Sequence, residues 1–72
     1  MSPELMLTLK SGEKVVLSNA GKTQGMRGRA TSEYGIFLRA TPCGRFMIVR
    51  RDGILDHNTF SPEFWDLEDV PQ

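Results

Sequence analysis

Cysteine and histidine occur once each, as Cys43 and His57, and that scarcity closes off several chemistries. A single thiol forms no internal disulfide, whereas a secreted domain this short usually needs several. The expectation is a reduced, cytoplasmic protein. With Pro42 and Gly44 beside it, Cys43 reads as a turn residue. No second cysteine or nearby histidine completes a metal donor set, so neither metal nor cofactor is expected. His57 lacks the positioned partner that a general base requires, because the nearest serine in sequence, Ser61, reads as a helix cap. Asp52, Asp56 and Glu63 are spaced in a way that fixes no catalytic geometry, and solvated acids are the default. Long apolar runs are also missing. Nothing approaches the ~20 consecutive apolar residues of a membrane span, and no charged stretch followed by an apolar one opens the chain. No membrane partner is expected, and no enzyme.

What is present fits one small domain. With 72 residues, 39% apolar and 25% charged, the chain matches an ordinary folded module. A domain of this length buries only ~60% of its unfolded surface, so the core is thin and has little room for a catalytic pocket. Residues 1–67 read as the domain and 68–72 as a frayed acidic tail. Charge is segregated along the chain. All nine Lys and Arg lie in residues 1–51 against three acids, leaving +6, and the six acids of residues 52–72 face no Lys or Arg, leaving −6. Such asymmetry points either to a charged partner or to an acidic segment folded back over a basic body.

Turn signals divide the chain into short strands. Leu5, Leu7 and Leu9 alternate with Met6, Thr8 and Lys10, then Ser11-Gly12 and the run Val15-Val16-Leu17 follow, so residues 5–17 read as a hairpin. The alternative is a short helix capped by Ser2 with Pro3 in its first turn. Residues 18–28 read as a loop, and Arg29–Ser32 as the start of a further strand. Tyr34–Ala40 is a strand with Tyr34, Ile36, Leu38 and Ala40 on one face and Phe37 and Arg39 on the other. Thr41–Gly44 is a turn, Arg45–Arg51 a strand, Asp52-Gly53 a hairpin signal, and Ile54–Phe60 the returning strand. Ser61-Pro62-Glu63 starts a helical turn that carries Phe64, Trp65 and Leu67 into the open end of a barrel. The predicted fold is mostly β: a small SH3-like antiparallel barrel of about five strands with a short C-terminal helix or helical turn.

Two motif readings concern residues 14–30. Gly21-Lys22-Thr23 has the end of a phosphate-binding P-loop, but position 16, where that motif needs glycine, is Val16. Val15-Val16-Leu17, then Gly21-Lys22, Gly25, Gly28-Arg29 and Ala30, resembles the KOW motif of NusG-type transcription elongation factors and several ribosomal proteins. It departs from that pattern in the intervening Ser18-Asn19-Ala20 and in Ala30, where a larger aliphatic residue is usual. The resemblance implies an SH3-like barrel that binds around RNA, the ribosome or RNA polymerase. In size and style the chain is also similar to small phage-encoded proteins that bind a host polymerase.

The expected function is therefore non-catalytic: a transcription regulator binding RNA polymerase or an associated factor, by occlusion or displacement. The expected binding residues are Lys22, Arg27 and Arg29 around the glycine loop and Arg45, Arg50 and Arg51 around the second basic set, which also includes Arg39. Arg50 and Arg51 point to opposite faces of a strand, so at least one is exposed. Asp66, Glu68 and Asp69 form a candidate acidic second surface. Two alternatives stay open: an RNA- or DNA-binding module of translation or transcription, and a structural subunit of an oligomer.

Overall fold

The computed structural model describes residues 1–68. The chain runs as helix α1 (Pro3–Met6), strand β1 (Lys14–Leu17), helix α2 (Asn19–Thr23), strands β2 (Tyr34–Ala40), β3 (Met47–Arg51) and β4 (Asn58–Phe60), a 3-10 turn (Pro62–Phe64), and strand β5 (Trp65–Leu67). The five strands form one antiparallel sheet in the order β4-β3-β2-β1-β5. The fold is mostly β, as the turn spacing predicts, but the barrel is not closed by strand pairing.

The two faces of the sheet follow from its register, because residues paired across an antiparallel ladder share a face. Val15 pairs with Gly35, Leu17 with Trp65, Phe37 with Val49, and Met47 with Phe60. These side chains form the core, joined by Met6 from α1. Each large apolar group buried there contributes about 1.5–3 kcal/mol. Gly35 is needed for this packing, since a Cβ at that position would stand 2.7 Å from Val49 Cγ1. Phe60 and Trp65 belong to opposite edges of the sheet, yet their rings meet edge-on at 5.3 Å and 70°. The sheet therefore curls until its edges touch through side chains. Trp65 is fully buried, and its indole N–H meets no acceptor among the described residues.

Several expected elements take other forms. Residues 5–17 are not a hairpin: Ser2 caps α1 by accepting from the Leu5 N–H at 3.2 Å, with Pro3 in the first turn. The leucine alternation misleads, because the fully buried residue there is Met6, while Leu5 and Leu7 are exposed. The expected loop over 18–28 contains α2, capped by Ser18. No strand begins at Arg29; β2 begins at Tyr34. A bulge between Phe37 and Arg39 shifts the β2–β3 register, so Ala40 pairs with Met47 and joins the core side rather than that of Tyr34 and Ile36. The β3–β4 connection spans residues 52–57, with Gly53 at φ +80°, and leaves β4 only three residues. Finally, Pro62–Phe64 forms the expected helical turn, but Trp65 and Leu67 continue as a strand. The expected tail begins at Glu68, and its remainder lies outside the described residues.

Candidate functional site

The basic residues expected to bind a partner do not form one surface. Around the β1–β2 connection, Lys22 lies in the last turn of α2 with its Nζ 3.6 Å from Glu33 Oε2. Arg27 donates from Nη2 to the Thr31 carbonyl at 3.0 Å, within its own loop. Arg29 is exposed. Of the glycines in the KOW-like segment, Gly21 lies in α2 and Gly25 and Gly28 take positive φ in the turns that follow.

Arg51 turns to the core side of the sheet and acts within the fold. Its Nη1 donates to the carbonyls of Met26 and Arg27 at 2.8 and 3.2 Å, and its guanidinium lies 5.5 Å from the Phe60 ring centroid. The side chain thus ties the glycine loop to β3 and β4. Its Nε is buried without an acceptor among the described residues.

Arg50 projects from the opposite side of β3, where a different group assembles. Ile36 pairs with Arg50, Arg39 with Ile48, and Lys14 with Ile36. The Thr41 N–H donates to the Phe46 carbonyl at 2.9 Å, which extends the ladder one step and puts Phe46 on the same face. The outer face therefore carries Tyr34, Ile36, Ile48 and Phe46 as an apolar stripe, with Lys14, Arg39 and Arg50 beside it. Phe46, Arg39 and Arg50 are exposed, and Tyr34, Ile36 and Ile48 are half-buried. Lys14 sits over the Tyr34 ring, 4.6 Å from its centroid, and within 3.9 Å of Glu68 Oε1. Arg39 and Arg50 form no ion pair among the described residues. The apolar members of this face are not among the binding residues expected from the sequence. Strand alternation alone did not say which side of β2 and β3 would be covered.

Arg45 lies in the β2–β3 turn beside Cys43. There the Thr41 hydroxyl, 3.2 Å from Cys43 Sγ, and the backbone at Arg45 lower the thiol pKa from its ordinary value. Of the acidic set, Asp66 Oδ1 lies 3.3 Å from the Met1 ammonium, which also donates to the carbonyls of Pro62 at 2.7 Å and Trp65 at 2.5 Å. Glu68 takes Lys14, and Asp69 lies outside the described residues. A shallow groove of about 190 Å³ between Glu13, Lys14, Leu67 and Glu68 marks the β1–β5 end. His57 is exposed in the β3–β4 connection. No helix among the described residues is long and apolar enough to cross a membrane. No protein-family model, curated protein or solved structure matches the chain.

Proposed function

We propose that the protein is a non-catalytic regulator of transcription that binds RNA polymerase or an associated factor and acts by occluding or displacing another protein. The observation that carries the binding half is the outer sheet face, where arginines without an ion pair among the described residues flank half-buried and exposed apolar side chains. That mixture of Arg, Tyr and apolar groups is typical of protein-contact surfaces. The polymerase half is supported by the resemblance of residues 14–30 to the KOW motif. A phage origin is part of the same reading, by likeness of size and style.

The test is capture from a bacterial lysate at low salt with tagged protein. Polymerase subunits, or a factor bound to them, are expected among the retained proteins. Recovery of neither overturns the transcription reading.

A further inference from the structure

We propose that the outer face of the sheet docks an acidic protein segment with one apolar anchor. Ile36 and Ile48 receive the anchor, and Arg39 and Arg50 receive its carboxylates. The inference rests on the reading of the chain as a protein-binding module and specifies the surface and the chemistry of its partner.

The register places apolar and cationic groups in alternation. Ile36 stands across from Arg50, and Ile48 across from Arg39. Directly opposed residues in an antiparallel pair have Cβ atoms about 5 Å apart. An anchor resting on the two isoleucines therefore lies within reach of both guanidinium groups. Arg39 and Arg50 form no ion pair among the described residues, and the two carboxylates against this face are already engaged, Asp66 by the Met1 ammonium and Glu68 by Lys14. The face is therefore cationic, with an apolar centre, and complements a segment of the opposite charge.

A nucleic acid suits this face less well. Single strands bind through successive stacked rings. Here Lys14 lies over Tyr34, and the other ring, Phe46, is separated from it along the stripe by two isoleucines. Isoleucine offers apolar contact and no stacking platform.

The proposal is tested by titrating isotope-labelled protein with three probes: a short glutamate peptide with one central leucine, an all-glutamate peptide of the same length, and an oligothymidylate of the same length. Amide shifts are expected at Ile36, Arg39, Ile48 and Arg50. The leucine peptide is expected to bind about tenfold tighter than the all-glutamate one, the advantage of burying one leucine side chain. Arg39→Glu/Arg50→Glu should weaken the leucine peptide by about tenfold or more. Ile48→Ser should remove the leucine advantage while leaving glutamate binding; if that variant fails to fold, Ile36→Thr takes its place. Shifts confined to the 22–29 loop, equal binding of the two peptides, or tighter binding of oligothymidylate each overturn the proposal. So does sedimentation showing a dimer that Arg39→Glu/Arg50→Glu abolishes, because the occupant is then a second copy. Lysate capture separates this inference from the transcription reading. If wild type and the double variant retain polymerase equally, the surface is wrong and the transcription reading stands. If the peptides behave as expected and no polymerase is recovered, the surface stands alone.

Discussion

Gly21 shows how closely one residue can be constrained where two elements meet. A Cβ there would stand 2.5 Å from the Phe64 carbonyl oxygen and 2.9 Å from Leu17 Cδ2, so α2 rests against the 3-10 turn with no space for a methyl group. Alanine is ordinarily the better helix residue, by about 1 kcal/mol. Here the overlap outweighs that gain, and Gly21→Ala is expected to cost about 1–3 kcal/mol. A urea midpoint equal to or above that of the wild type contradicts this account. Cys43 gives a second prediction at this scale. Hydrogen bonds to a thiolate favour its charged form and lower the pKa. The alkylation rate of Cys43 should therefore rise at a lower pH than that of free cysteine, and Thr41→Val should move the rise to higher pH. Identical profiles for the two proteins would remove Thr41 from the explanation. Residue roles were only half legible in the sequence. Opposite faces for Arg50 and Arg51 follow from alternation. Which of the two would face solvent depended on the burial of Phe37 and Val49, which alternation does not decide.

β2 was legible in the sequence, as were the cores of β1 and β3 and the 3-10 turn, whereas β5 and α2 were not. β2 and the turn after it follow from apolar alternation and from Pro42 and Gly44. β5 alternates over only Trp65, Asp66 and Leu67, too short a run to distinguish from a helical turn. α2 has no apolar stripe and contains a glycine, so composition alone makes it a loop. Its legible signal was Ser18, whose side chain accepts from the Gly21 N–H at 3.2 Å and donates to the Glu63 carbonyl at 2.7 Å. That one hydroxyl caps α2 and joins it to the 3-10 turn. Ser18→Ala loses the cap and leaves the buried Gly21 N–H and the part-buried Glu63 carbonyl short of a partner, at a cost of about 1–2 kcal/mol. Ser18→Thr retains a hydroxyl and should recover part of it. Chemical denaturation of the pair separates the hydrogen bonds from simple packing, because equal losses in both variants would assign the effect to packing. The candidate surface was legible only as a set of charges. Its apolar half emerges from the β2–β3 register and its bulge, a long-range property of two strands together.

At the scale of the molecule, the segregated charges do not neutralise each other through the described contacts. Between the basic residues of 1–51 and the acids that follow, the described side-chain ion pair is Lys14–Glu68, at 3.9 Å and exposed. Exposed pairs contribute between nothing and about 1 kcal/mol. The chain is held instead by the curl that brings β5 against β4. Trp65 lies at the centre of that closure: it is fully buried, pairs with Leu17, meets Phe60 edge-on, and its carbonyl accepts from the Met1 ammonium. A domain of this size has a total stability of roughly 4–11 kcal/mol. Truncating a buried tryptophan to alanine costs about 3–5 kcal/mol. Trp65→Ala should therefore lose a large share of the folded state's margin and melt at a much lower temperature than wild type. Trp65→Phe keeps a ring against Phe60 and should melt cooperatively at a lower temperature than wild type. The comparison is made by circular dichroism at low and at high salt. If charge attraction between the two halves closes the molecule, high salt lowers the wild-type melting temperature steeply and Trp65→Ala changes it little. If the side-chain closure does so, Trp65→Ala dominates and salt moves the transition by no more than exposed ion pairs allow.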